Sequence, residues 1–329
     1  METILVTGGA GYIGSAMCKY LSKNGYQPIV VDSLTTGHRL AVRWGPFYQG
    51  FLEDSALLDH VLARHQPLAV MHFAASCYVG ESVEVPLKYY RNNVAATVNL
   101  LEAMTRHRIT NMIFSSSCAT YGEPLALPIT ETHHQQPINP YGRSKLMIEQ
   151  ILKDLSAVDD FRYIALRYFN AAGADPEGEI GEDHRPETHL IPLVLMTAMG
   201  RRDTVHVFGD DYPTRDGTCV RDYIHVNDLA QAHLLALEKL LSDRTNGAYN
   251  LGNGGGYSVM EVIETARQIT GRPIPLQMAA RRPGDPGELI STSDKAVREL
   301  GWRPACPDLN DIIATAWAWH RHHPDGYGD

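Results

Sequence analysis

The tightest constraint on this chain lies in its first 32 residues. The apolar run Thr3–Thr7 leads into Gly8-Gly9-Ala10-Gly11-Tyr12-Ile13-Gly14, which contains G-x-G-x-x-G from Gly9 and G-x-x-G-x-x-G from Gly8. A helical stretch, Ser15–Asn24, is stopped by Gly25, and a second apolar run, Pro28–Val31, ends at Asp32. Strand, glycine turn, helix, strand and acid in that order describe a βαβ unit that binds a dinucleotide. The glycines permit a tight turn and let the backbone approach a pyrophosphate. The helix start adds oriented N–H groups and a partial positive charge. A carboxylate at Asp32 accepts hydrogen bonds from the adenine ribose and repels a 2′-phosphate, which selects NAD over NADP. Gly8, Gly11, Tyr12, Ile13, Gly14 and Asp32 are therefore expected at the cofactor.

The same texture continues. Apolar runs recur at Leu68–Phe73, Met112–Ser117 and Tyr163–Tyr168, separated by expected helices at Ala56–His65, Leu87–Arg106 and Pro140–Ala157. Strands apolar throughout and separated by helices indicate a parallel sheet covered on both faces. The predicted fold is α/β: a Rossmann-type doubly wound parallel sheet over residues 1–170, with a second, smaller α/β substrate domain over 171–329. Gly, Pro and charge become denser after about Asn170. Tyr223–Leu241 reads as a strand and helix returning to the first domain, within a return segment 223–250.

Composition narrows the partners. A formal charge of −9 disfavours nucleic acid and anionic membranes, both of which need a basic face. No apolar run is long enough to span a bilayer. Five cysteines without a C-x-x-C pair read as free thiols in a reducing compartment, and no leader is recognised before the first strand, so a cytoplasmic location is expected. Of the 15 histidines, His133-His134 and the tail residues His320, His322 and His323 read as solvated surface, and no metal is expected.

Tyr141 and Lys145 stand at i and i+4 on one helix face. A phenol with a pKa of about 10 is a poor base at neutral pH. A lysine ammonium one turn away, together with a positive nicotinamide ring, would favour the phenolate. Tyr141 could then take a proton from a hydroxyl as its carbon gives up hydride. Ser117 closes an apolar strand, where open α/β sheets place their ligands, and could bond the same oxygen.

At this point a family resemblance is plain. The chain resembles the extended short-chain dehydrogenase/reductase family, in its NAD-dependent epimerase/dehydratase branch, over nearly its whole length. The landmarks are TGGAGYIGS from Thr7, HFAA from His72, VGES from Val79, YYRNN from Tyr89, FSSS from Phe114, YGRSK from Tyr141, RYFNAAGA from Arg167, GDDYPTRDGTCVRDYIHV from Gly209, YNLGNG from Tyr249 and RRPGD from Arg281. The resemblance implies a catalytic triad of Ser117, Tyr141 and Lys145. It adds Leu52, Phe73, Ala74, Ala75, Asn93, Ser115 and Tyr168 to the cofactor residues, with Asn93 and Tyr168 lining the nicotinamide. It places Asn170, His189, Leu190, Phe208, Arg221, Arg282, Asp285 and Leu289, beside Ser117, on a UDP-sugar. Guanidinium forks at Arg221 and Arg282 suit a diphosphate. The implied activity is reversible 4-epimerisation of UDP-glucose and UDP-galactose through a 4-keto intermediate, with NAD retained. A homodimer through the Leu87–Arg106 and Pro140–Ala157 helices is implied as well.

Related sugar 4,6-dehydratases carry an acidic pair after the catalytic serine or threonine, to eliminate water. Here Cys118-Ala119 follow Ser117, which favours simple epimerisation. Four positions depart from the family pattern. Phe51 replaces an aspartate that contacts adenine, leaving the Leu52 backbone or ring stacking to substitute. Cys77 stands where some members have a lysine, and His189 where some have an asparagine. Leu289, at the sugar-pocket gate, is intermediate between a bulky tyrosine and a small residue. The alternatives are a 4-epimerase for UDP-N-acetylhexosamine, UDP-pentose or UDP-uronate, or a non-catalytic NAD or nucleotide-sugar sensor on the same fold.

Overall fold

A computed structural model describes residues 1–282 and 286–328. Six apolar segments of the first half form strands β1 (Thr3–Thr7), β2 (Gln27–Asp32), β3 (Phe47–Gln49), β4 (Ala69–His72), β5 (Asn111–Ser115) and β6 (Arg162–Tyr168). With Gly247–Leu251 they make one seven-stranded sheet, every neighbouring pair parallel. From one edge the order is Gly247–Leu251, β6, β5, β4, β1, β2, β3. Successive side chains point to opposite faces. Ile4, Val6 and Ile113 enter one apolar layer with Met17, Leu21 and Leu237, whereas Leu5, Met112 and Phe114 enter another with Leu58, Leu100 and Leu152. Two covered faces are why these strands carry no polar alternation.

Helix α1 (Tyr12–Lys23) and the long helix Val226–Asp243 cover the first face; α2 (Ser55–His65), Ala96–Arg106 and Pro140–Val158 cover the second. Ile224, Leu229 and Leu237 join the first layer, and Gly247–Leu251 extends the sheet beyond β6. Ala296, Leu300 and Trp302 pack there too. A third apolar core, including Ile191, Val194, Val207, Val262 and Ile313, binds helices Leu190–Ala198, Val259–Thr270 and Leu309–His322 into a second body.

Two expectations are corrected. The helix Leu87–Arg106 is not continuous: Pro86–Tyr89 is α-helical, Tyr90–Ala95 is a π segment, and Ala96–Arg106 resumes the α-helix. The π turn lies where Asn93 reaches inward to bond two other elements, a usual setting for such insertions. His320 is not solvated surface. It is 6% exposed, on the buried face of Leu309–His322 beside Trp319. Among the described residues no helix is long and apolar enough to cross a membrane, and the five cysteines are unpaired.

Candidate active site

The site is assembled at the C-terminal ends of the parallel strands. After β1 the chain turns at Gly8, whose φ is +75° and whose place for a Cβ lies 2.5 Å from the Ala74 nitrogen. A Cβ on Gly14 would lie 2.1 Å from the Gly8 carbonyl oxygen, so backbone meets backbone. Gly11 is the N-cap of α1, and no side chain caps the first turn. The amides of Tyr12, Ile13 and Gly14 are thus left with the positive end of the helix, a setting that fits a pyrophosphate. Asp32 holds this loop: its Oδ2 accepts from the Ala10 amide at 2.9 Å and its Oδ1 from the Leu34 amide at 2.8 Å. Each oxygen keeps a second lone pair for a ribose hydroxyl. Gly14→Ala should weaken NAD binding at least about tenfold by displacing the turn. Calorimetric titration of cofactor-stripped protein checks this, and unchanged affinity would mean the loop relaxes.

Three groups converge at the end of β5. The strand stops at Ser115, and Ser117 caps a short 3₁₀ turn, its Oγ accepting from the Ala119 amide at 3.1 Å. Helix Pro140–Val158 begins opposite this turn. Asn139 caps it by accepting from the Gly142 amide at 2.8 Å, and Pro140 occupies the first turn. A Cβ on Gly142 would lie 2.4 Å from the Ala119 carbonyl oxygen. Gly142 therefore lets the helix start close on the serine turn, and the Ser117 hydroxyl hydrogen-bonds Tyr141. Lys145 is 3% exposed; its ammonium donates to the Ser115 carbonyl at 2.7 Å and lies 5.9 Å from the centre of the Tyr141 ring.

Burial, seconded by Cys77, pushes the Tyr141 phenol well above its ordinary range, and the Ser117 hydrogen bond only partly opposes this. Burial also pulls Lys145 down to about 8, against Cys77 and Glu149. The chain by itself thus does not lower Tyr141.

The other cofactor positions are mixed. Phe73, Ala74 and Ala75 follow β4, with Phe73 and Ala74 amides bonded to the Thr7 carbonyl. Ser115 Oγ lies 2.5 Å from the Tyr168 hydroxyl, and both residues are buried. Asn93 is fully buried, and its amide bonds Ser76 and Ser144. It braces the loop after β4. Leu52 is also turned inward, its side chain in the core and its carbonyl accepting from Asn99. Phe51 is 56% exposed.

On the second body, Asn170 donates to the Asp222 carbonyl at 2.9 Å. Leu190 opens the helix that His189 precedes. Arg221 and Leu289 are register partners on adjacent parallel strands, Val220–Arg221 and Glu288–Leu289. The Arg282 guanidinium lies 4.0 Å above the Phe208 ring, whereas neighbouring Arg281 is committed to Asp211 at 2.6 Å. Asp285 lies outside the described residues. His189 is directed elsewhere than expected: its Nδ1 faces Glu182 and Glu187, at 2.9 Å from each.

Three supports of the site have no counterpart in the local sequence signals. Gly142 lies inside the Tyr141–Lys145 motif, and its close approach to the Ala119 carbonyl comes from the fold, not from the spacing. Glu149, one turn beyond Lys145, forms a buried pair with Arg167. The donors Glu182, His184, Glu187 and His189 follow the sequence pattern E-x-H-x-x-E-x-H, in which His189 alone was expected at a ligand.

The profile of the NAD dependent epimerase/dehydratase family matches residues 4–252. The chain belongs to this family. A UDP-glucose 4-epimerase of Halalkalibacterium halodurans is 53% identical over 324 residues, covering 98% of this chain and 97% of that one. The crystal structure of a UDP-glucose 4-epimerase from Brucella ovis in complex with NAD superposes with a TM-score of 0.95 at 54% identity, covering 97% of this chain and 98% of that one. A UDP-glucose-4-epimerase from Stenotrophomonas maltophila, with bound NAD and formylated UDP-arabinopyranose, gives 0.96 at 40% identity over 99% of both chains. The glycine loop, the strand-end serine and the Tyr141–Lys145 pair thus belong to an NAD dependent epimerase/dehydratase family member aligned with these enzymes from end to end.

Proposed function

We propose that the protein interconverts UDP-glucose and UDP-galactose by reversible 4-epimerisation, with NAD retained from turn to turn. The observation that carries this reading is the Ser117–Tyr141 contact, with Lys145 one turn on, beyond the C-terminal end of β5 in the same sheet whose strand β1 leads into the glycine loop. The residues around that loop fit a dinucleotide, and NAD, when bound, supplies the hydride acceptor and donor for the sugar C4. The body built on the seven-stranded sheet holds NAD, and residues 171–329, apart from the return segment, hold the nucleotide sugar.

Tyr141 takes the proton of the C4 hydroxyl and gives it back on the reverse step. Ser117 bonds the same oxygen, and Lys145 holds positive charge beside the phenol. Burial raises the Tyr141 phenol in the chain alone, and NAD, when bound, would add positive charge beside it. Arg221 and Arg282 grip the diphosphate, and Phe208 lies near the uracil. The sugar is held loosely enough to turn over while binding energy sits on the UDP end. Cys118 and Ala119 after Ser117 provide no acid or base for dehydration.

Incubation with UDP-galactose should yield UDP-glucose, read by chromatography. NAD-loaded, folded protein that forms none would sink the reading. Leu289, beside Arg221 at the gate, leaves room for plain hexoses first, so UDP-galactose should turn over faster than its N-acetyl analogue; equal rates would show an open gate.

The protein is further read as a cytoplasmic homodimer. Its thiols are free, and helices Ala96–Arg106 and Pro140–Val158 share an outward groove lined by Val98, Leu101, Thr105, Ile151 and Leu155. Sizing in solution should give twice the 36.5 kDa chain mass; elution at the chain mass would contradict it.

A further inference from the structure

Between the substrate strand Asn170–Ala172 and the helix Leu190–Ala198, four side chains from eight residues turn toward one point. They are Glu182, His184, Glu187 and His189, with side chains 6%, 15%, 4% and 37% exposed. Both imidazoles present Nδ1. His189 Nδ1 is 2.9 Å from Glu182 Oε1 and 2.9 Å from Glu187 Oε1. His184 Nδ1 is 3.2 Å from Glu182 Oε1 and 3.7 Å from Glu187 Oε2. The four ligand atoms lie within 4.8 Å of one another.

Hydrogen bonding inside the chain does not complete this cluster. Glu187 Oε2 and His184 Nδ1 are buried and make no hydrogen bond, although they face each other. A buried carboxylate oxygen without a donor is costly and calls for an unseen partner. Among the described residues, no lysine or arginine pairs with Glu182 or Glu187. The acidic group Asp175, Glu177 and Glu179 is different: the Lys19 ammonium already fills its centre, at 2.5–2.9 Å from all three.

The geometry points to a divalent transition-metal site of the zinc class formed by Glu182, His184, Glu187 and His189. Metal–ligand bonds of about 2.0–2.2 Å in a tetrahedron set ligand-to-ligand edges of about 3.3–3.6 Å. The separations from Glu182 Oε1 to the two imidazoles, 2.9 and 3.2 Å, lie close to that value, and all four ligand atoms lie within 4.8 Å of one another, so side-chain rotation can close the set onto one ion. Two neutral imidazoles with two carboxylates carry two negative charges, matching a divalent ion. Mixed nitrogen and oxygen donors select a borderline ion over magnesium or calcium, which take oxygen shells.

The ion's role is that of a clamp. His189 is the residue before helix Leu190–Ala198 and makes no side-chain cap for it, and the Tyr78 ring lies edge-on to His184 with centroids 6.1 Å apart. Tyr78 follows the loop that carries Ala74 and Ala75. Binding the ion therefore ties the segment 182–189 to the start of that helix, beside the loop after β4.

The test reads metal directly and does not depend on the epimerase reading. Chelator-stripped full-length protein is titrated with Zn²⁺ against a chromogenic competitor, with Mg²⁺ as control, and its melting temperature is followed. One equivalent of Zn²⁺ per chain, a raised melting temperature and no Mg²⁺ response are expected. His184→Gln and Glu187→Gln should each weaken Zn²⁺ binding by about a hundredfold or more. Absence of saturable Zn²⁺ binding to the wild-type chain, or binding of equal affinity in both variants, overturns the site. Should the variants not fold, X-ray absorption of the Zn²⁺-loaded wild type decides: two imidazole nitrogens with carboxylate oxygens support the site, whereas sulfur ligands or three or more imidazoles overturn it.

Discussion

Replacing Tyr141 with phenylalanine is expected to lower turnover by about a hundred- to ten-thousand-fold, the range spanned by a lost general base, while UDP affinity changes by less than about twofold. The change removes one hydroxyl and no packing volume. Ser117 keeps its bond to the Ala119 amide, and Lys145 keeps its bond to the Ser115 carbonyl, so the scaffold around the ring survives. The groups proposed for UDP stand on another body, at Arg221, Arg282 and Phe208. An effect on kcat without one on UDP binding is therefore the signature of a proton-transfer residue. Steady-state kinetics with UDP-galactose and calorimetric titration with UDP measure the two sides. Turnover within about tenfold of the parent would remove Tyr141 from the mechanism, because no neighbouring group could replace a base so completely.

The way this site is built explains which parts of it were legible in the sequence. The glycine loop and its strand could be read because each glycine answers a local demand: positive φ at Gly8, and backbone contact at Gly14. The strands could be read because both faces of the sheet are covered, which leaves uninterrupted apolar runs such as Thr3–Thr7. The Tyr141–Lys145 pair follows from helical spacing, and its place from family likeness. What remained hidden depends on contacts far apart in the chain. Nothing local to Asn93 says that its amide meets Ser76 and Ser144, and only the fold breaks its helix with a π turn. Nothing local to Tyr141 says that burial outweighs the lysine one turn away. Both are properties of packing, and packing is set by residues 17 to 51 positions away in the Asn93 contacts.

Glu149→Gln should destabilise the protein by about 3–5 kcal/mol, the cost of leaving one member of a buried ion pair alone. Glu149 and Arg167 are 7% and 6% exposed. Arg167 Nε donates to Glu149 Oε1 at 2.9 Å, its Nη2 donates to Oε2, and its Nη1 donates to the Tyr121 hydroxyl at 2.8 Å. Ser116 also donates to Glu149 Oε1, at 2.5 Å, so the carboxylate ties β6 and the catalytic helix to the serine strand end. Glutamine would leave the guanidinium charge buried without a counter-charge and turn an amide N–H₂ toward one of its donors. For a chain of this length that loss lowers the melting temperature by about 5 °C. A double replacement with apolar residues, Glu149→Leu with Arg167→Met, should recover much of it, since desolvation of both charges disappears together. Thermal unfolding of both single variants and the double closes the cycle. Strictly additive losses, or a single-variant cost below about 1 kcal/mol, would show that the pair is not a unit. Because Ser116 sits between Ser115 and Ser117, loss of the pair should also loosen the hydroxyl opposite Tyr141, so Glu149→Gln should lower kcat at temperatures where the protein is still folded.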